Sequence, residues 1–223
     1  MARLLAILIL LSIPSSILAE NSAVMPECEI IIDDFADGIK PAWSSKSFKG
    51  TTEYTWIEEG DKAYMRAESK GTASGLYYKI EYDPQQYPYI TWQWKVDNII
   101  AGGDATKKSC DDYGARVYVV FPSFFFWNTK TINYIWANKL PKDQAVPSPY
   151  TTNDIMICVE SGSRDTGKWI TESRNVYEDY KRFFGKEPPK VGAIAIMTDT
   201  DDTGESVSAG YGPIVVCSRD PGR

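Results

Sequence analysis

YITWQWKVD, residues 89–97, sets Trp92, Trp94 and Val96 on one side of an extended chain and Gln93, Lys95 and Asp97 on the other. Side chains of a strand alternate between faces, so one side reads as core and the other as a polar sheet surface. The same alternation recurs outward in both directions. GLYYKIEYD (75–83) opposes Tyr77, Lys79 and Glu81 to Tyr78, Ile80 and Tyr82. CDDYGARVYVVF (110–121) groups Asp112, Gly114, Arg116 and Tyr118 against Ala115, Val117 and Val119.

Further strands are predicted at 29–35, 53–60, 62–68, 131–138, 153–161, 168–173, 190–199 and 211–218, separated by Gly, Pro and Asp turns. Gly60-Asp61 between two of them is a hairpin signal. Eleven short strands at close spacing describe a sandwich or barrel. One segment breaks the period. RNVYEDYKRFFG (174–185) places Val176, Tyr180, Phe183 and Phe184 on one helical face, with Asn175 as N-cap and Gly185 as the stop. VGAIAIM is apolar on both faces, so its strand is expected to be covered on both sides, the helix supplying one cover.

The chain opens MARLLAILILLSIPSSILAEN, a positive start, an apolar run and a small-residue exit. That is a secretory leader with cleavage expected after Ala19, followed by a short segment (20–27), one domain (28–218) and a tail (219–223). The mature protein is expected in the periplasm or outside the cell, as a monomer without a transmembrane segment. Basic residues number 24 and acidic 30, for a net charge of −6. With no basic run, nucleic acid is excluded as a partner. Histidine is absent, which removes Ser-His-Asp and Cys-His catalysis and His-ligated metals. Cys28, Cys110, Cys158 and Cys217 are an even set for an oxidising compartment. Three pairings are possible; Cys28–Cys217 with Cys110–Cys158 is the expected one, the first closing a loop worth about 4–5 kcal/mol in the chain-entropy account, and free thiols are the other reading.

IIIDDFADGIKPAW at the start of the domain resembles the opening of jelly-roll domains that bind or process polysaccharides. WQWKVD, DDYGARVYVVF, NYIWAN, SRNVYEDYKRFFG and AIAIMTDTDDTGES together resemble an exported bacterial family, domain of unknown function 3047, from about Asp33 to Ile214. The resemblance implies an antiparallel β-sandwich of jelly-roll, concanavalin-like type and a periplasmic or secreted location. It implies no activity. Asp202 stands where such chains usually have Asn, and the cysteines are an addition.

Three kinds of chemistry are open. If the strands at 75–83, 89–97 and 114–121 are neighbours, Gln93, Lys95, Asp112, Arg116 and Tyr118 form a glycan-binding face, or an ordinary solvated surface with cross-strand ion pairs. Arg116, between apolar neighbours, needs a carboxylate, and Asp112 is the nearest in sequence. Asp199, Asp201, Thr203 and Gly204 follow the first half of a calcium-loop pattern that Asp202 or Glu205 could complete. The twelfth place is Gly210, though, so the other reading is an acidic turn whose carboxylates accept backbone N–H groups. For cleavage of a glycosidic bond by paired carboxylates, the acids available are Asp112, Glu160, Glu172, Asp199 and Asp201, and a Tyr with Arg or Lys would instead serve a polysaccharide lyase. Phe124, Phe125, Phe126 and Trp127 are an aromatic platform, a partner contact or, as expected here, a sheet corner folded into the core.

Overall fold

The computed structural model describes residues 30–221. Among them, strands β1 (Ile30–Asp33), β2 (Trp43–Lys49), β3 (Glu53–Glu59), β4 (Lys62–Lys70), β5 (Ala73–Tyr82), β6 (Tyr89–Val96), β7 (Tyr113–Phe121), β8 (Lys130–Ala137), β9 (Ala145–Ser148), β10 (Thr151–Ser161) and β11 (Ile170–Asn175) precede helix α1 (Val176–Phe184). Strands β12 (Val191–Asp199) and β13 (Ser206–Cys217) follow it. They form two sheets stacked as a β-sandwich of jelly-roll type. A six-stranded sheet runs β11-β6-β13-β4-β3, with β1 pairing β13, and a seven-stranded sheet runs β2-β5-β12-β7-β8-β10-β9. The β8–β10 pair is parallel; the other pairings are antiparallel.

The inward faces are those the alternation predicts. Trp92 and Trp94 are fully buried, and their rings meet Tyr134 and Trp136 from the other sheet at centroid distances of 5.2 and 5.9 Å. The opening turn is organised by one buried carboxylate. Asp33 accepts from the Phe35 N–H and, through its second oxygen, from the Trp43 indole at 2.8 Å. Gly60 has φ +65° at the head of the β3–β4 turn, a conformation costly for any side chain, and it lets Glu59 pair directly with Lys62.

Helix α1 forms as its ends dictate. Asn175 accepts from the Glu178 N–H at 2.9 Å, and Gly185 adopts the left-handed conformation that stops it. It packs against β6, β8 and β11 at the sandwich edge rather than over β12. The outward face of β12 is therefore not covered by the helix. Strands β2 and β9 escape the sequence pattern because both lie at sheet edges. WSSKSFK is polar and exposed, and AVPS carries a proline, which edges tolerate.

Three expectations are overturned here. β6 belongs to the opposite sheet from β5 and β7, so the five residues expected on one polar face are split. The Phe124–Trp127 segment is not folded into the core: Phe124 is 95% and Phe126 80% exposed. Cys110 and Cys158 are free thiols, Cys110 in a short turn and Cys158 buried in β10 with its thiol on the Leu140 and Glu160 carbonyls at 3.1 Å. Cys28 lies outside the described residues.

Candidate functional site

The outward face of β12 carries Ala193, Ala195 and Met197, small or slender side chains along the middle of the seven-stranded sheet. Ala195 is in register with Tyr77 of β5 on one side and Tyr118 of β7 on the other. Two phenol rings flanking a methyl group make a trough. Lys46 and Phe48 of β2 extend it on one side, and Tyr150 and Asp154 close the other, giving a groove of about 680 Å³. Gly75 is required where β5 meets Met197, since a Cβ there would fall 2.8 Å from the Ile196 carbonyl oxygen.

Arg116 anchors one end. Its Nε donates to Asp199 Oδ1 at 2.9 Å, and its Nη2 donates both to Asp199 Oδ2 and, at 3.0 Å, to the Asp111 carbonyl. Its Nη1 lies 3.7 Å from Asp111 Oδ2, and the guanidinium covers the Tyr113 ring at 4.3 Å. Burial opposes the charge, but the surrounding Tyr118 and Asp111 hold Arg116 firmly protonated. Burial also raises Asp111 despite Arg116.

Asp154 differs from its neighbours. Burial pushes its carboxyl up to about 7 against the pull of Arg116, with Asp111 adding to the rise. Asn133, fully buried, stands close to both Asp154 and Tyr118 and favours the ionised form of each, although neither its amide atoms nor Asp154 Oδ1 makes a hydrogen bond of normal geometry among the described residues. Asn133 stands beside Tyr118 in the ladder. Of Asn133 and Asp154, only Asp154 lines the groove, and it is the residue that offers a polar atom there.

The acidic stretch after β12 braces loops. Asp112 does not reach Arg116; its two oxygens accept from the Asp202 and Thr203 N–H groups at 3.1 and 2.6 Å. Glu205 accepts from the Ala101 and Gly102 N–H groups, and Thr203 Oγ1 from the Glu205 N–H. Asp199 is committed to Arg116, which breaks the expected set Asp199, Asp201 and Thr203. A different trio, Asp112, Asp201 and Asp202, has carboxylate oxygens within 4.8 Å of one another. Asp201 faces Lys49 at 3.9 Å and Asp202 accepts from the Tyr150 hydroxyl at 3.2 Å.

Gln93 and Lys95 lie on the outer face of the other sheet. Gln93 lines a separate hollow of about 420 Å³ with Tyr64, Trp169 and Thr171. Lys95 pairs with Asp97 at 3.2 Å and sits 5.8 Å from the Trp169 ring. Glu172 is in register with Trp92 on that same sheet, next to Glu160, which pairs with Lys142. Burial lifts Glu172 to about 8, and the neighbouring Glu160 adds to it. The catalytic candidates Asp112, Glu172 and Asp199 are thus a loop brace, an edge carboxyl of the other sheet and an ion-pair partner. They do not converge.

A family described as Protein of unknown function (DUF3047) matches residues 41–215. The chain belongs to that family. No curated protein matches it. Among solved structures, this DUF3047 chain is similar to the family 11 carbohydrate-binding module of a cellulosomal cellulase of Clostridium thermocellum, at 13% identity and TM-score 0.46, covering 86% of this chain and 95% of that one. The xyloglucanase domain of a type three effector from Sinorhizobium fredii, solved in complex with cellobiose, gives 8% identity and TM-score 0.46 over 81% and 96% of the two chains. Endoglucanase 3 of Trichoderma harzianum gives 8% and 0.41 over 80% and 98%.

In this DUF3047 domain, then, two of the five residues named from sequence for a binding face, Arg116 and Tyr118, line the groove, whereas Phe48, Tyr150 and Asp154, which line it too, were not named. One signal was present. Asp154 directly precedes the apolar run Ile155-Met156-Ile157, and a carboxyl at the edge of such a run needs a reason.

Proposed function

We propose that the groove of the seven-stranded sheet binds a glycan and that the protein does so as an exported, non-catalytic module. The observation that carries this is the trough of Tyr77, Ala195 and Tyr118 with the Asp154 carboxyl in its wall. Phenol rings offer flat faces to a sugar ring, and Lys46, Tyr150 and the Asp154 carboxyl stand in the groove wall to take its hydroxyls. The groove holds Asp111, Asp154, Asp199, Asp201 and Asp202 against Arg116 and Lys46. An acidic surplus repels polyuronates and favours a neutral or amino sugar.

Binding is favoured over cleavage by the state of these acids. Glycosidic cleavage requires two carboxylates free to act on opposite sides of one bond. Asp111 and Asp199 share Arg116, Asp201 faces Lys49, and Asp202 accepts from Tyr150. Asp154 is left with an unpartnered oxygen. The export reading rests on residues 1–19 and includes a Cys28–Cys217 bridge. β1 starts two residues after Cys28, and its Ile30 pairs with Val216, next to Cys217.

The test is retention on a panel of neutral, amino-sugar and uronate polysaccharides, with new reducing ends counted in the same tubes. Retention on a neutral or amino-sugar polymer, lost in Tyr118→Ala and kept in Gln93→Ala, is expected. Release of sugar ends would make the protein an enzyme, and no retention on any polymer would remove the glycan reading.

A further inference from the structure

The β7–β8 connection leaves four large aromatic side chains in solvent. Phe124, Phe125, Phe126 and Trp127 are 95, 49, 80 and 60% exposed. They pack on one another, with centroids 5.0 Å apart for Phe124–Phe125 and for Phe125–Trp127 and 5.1 Å for Phe126–Trp127. The turn beneath them is well tied. Asn128 and Thr129 donate to the Phe125 and Phe126 carbonyls, and Asn153 Nδ2 donates to the Trp127 carbonyl at 2.9 Å. The rings therefore form a shaped, protruding tip whose outward display the backbone holds in place. A contiguous apolar patch of this kind marks a surface that meets something apolar.

Beside the tip, Ser123, Asn128, Lys130 and Lys186 line a hollow of about 630 Å³ between the β7–β8 turn and the segment after α1. Neither lysine is ion-paired among the described residues, whereas Glu187 in the same wall is taken by Lys181 at 3.2 Å. Lys130 lies 4.1 Å from the centre of the Phe184 ring, and burial and the charge of Lys186 both disfavour its protonated form. Two mutually repelling amines with a hydroxyl and an amide beside them are the donor set for a phosphate group.

We propose that this end of the sandwich docks on an anionic phospholipid bilayer, the Phe124–Trp127 tip entering the interface while Lys130 and Lys186 hold a lipid phosphate. Charge decides the occupant. The chain as a whole is acidic, yet amines flank the tip, while the acidic turn from Asp199 to Glu205 lies at the opposite end of the β7–β12 pair. An anionic surface attracts the first end and repels the second, which fixes the orientation. Shape agrees with charge. Protruding Phe and Trp rings enter the headgroup region without needing a complementary pocket, and aromatic residues concentrate at that depth. The groove strands then stand upright on the membrane with the Arg116 end outermost.

Flotation with vesicles of phosphatidylglycerol and phosphatidylethanolamine, against phosphatidylcholine alone, tests this. The purified protein is expected to float with the anionic vesicles, and the Phe124→Ser/Phe126→Ser double variant to lose at least tenfold in bound fraction at unchanged melting temperature. Any contribution of residues 1–19 is common to both and cancels. Lys130→Ala/Lys186→Ala is expected to erase the preference for anionic over zwitterionic vesicles. Equal flotation of wild type and the Phe double variant, or no flotation of wild type, would overturn the proposal. So would self-association of the wild type that the Phe variant abolishes while vesicles remain unbound, since the tip would then be a protein contact.

Discussion

Arg116 of β7 and Asp199 of β12 face each other across neighbouring strands, Nε to Oδ1 at 2.9 Å, with side chains only 6 and 2% exposed. The pair lies outside the tryptophan core, on the groove face. Removing one partner leaves a buried charge without its counterpart, which costs about 3–5 kcal/mol. Asp199→Ala is accordingly expected to lower the unfolding free energy by that amount in urea titration. Asp112→Ala, which frees two backbone N–H groups at a loop, is expected to cost about 1–3 kcal/mol. The reverse order would mean that Asp112, the neighbour in sequence, is the true partner.

Ala195 defines the trough by being small. Ala195→Leu fills the space between Tyr77 and Tyr118 from the outward face of β12 and leaves the tryptophan core untouched. Retention on the selected polysaccharide is expected to fall at least tenfold while the melting temperature holds within about 3 °C. Lys95→Ala, on the other sheet, is expected to bind as wild type. Loss of binding in the Lys95 variant would move the site to the opposite face.

Asp154, with its carboxyl pushed up to about 7, makes binding depend on pH. A ligand laid over the carboxyl removes water from it and favours the neutral form further. Affinity is therefore greatest below pH 7 and declines as pH rises through that value. One unit of further shift corresponds to about fivefold between pH 6 and pH 8, approaching tenfold at higher pH. Asp154→Asn is expected to flatten the profile in titration calorimetry. An unchanged slope would mean that the group responsible lies elsewhere.

Glu172 sets a second pH dependence, in stability. Its folded form keeps the proton up to about pH 8, whereas the unfolded chain releases it near 4.5. Folding takes up a proton between those values, so the contribution is complete below the unfolded value and is lost as pH rises through 8. Glu172→Gln is expected to raise the melting temperature at pH 8.5 relative to wild type, by about 2–4 °C for each kcal/mol regained, and to change little at pH 4.5. A variant less stable at both pH values would show that the carboxylate is needed.

Much of this protein was legible because periodicity is local. The alternation in YITWQWKVD placed Trp92 and Trp94 in the core, the Gly60-Asp61 turn made its hairpin, and Asn175 and Gly185 bounded the helix. Each depends on neighbours within a few residues, which the chain carries with it. β2 was hidden because an exposed edge strand needs no apolar face, and the Phe124–Trp127 tip was misassigned because dense aromatics usually mean burial.

Local pattern alone sets which face of each strand is apolar, where the helix begins and ends, and the kinds of side chain available for chemistry without histidine. Which sheet each strand joins was decided only by tertiary structure. Alternation says nothing about lateral partners, so Gln93 and Arg116, alike in pattern, end on opposite outer faces. The same holds for the groove: Arg116 meets Asp199 from 83 residues away, and Asp154 comes beside Asn133 and Tyr118 only when β7, β8 and β10 lie side by side. Strand pairing sums over the whole chain, and no single window of sequence contains that sum.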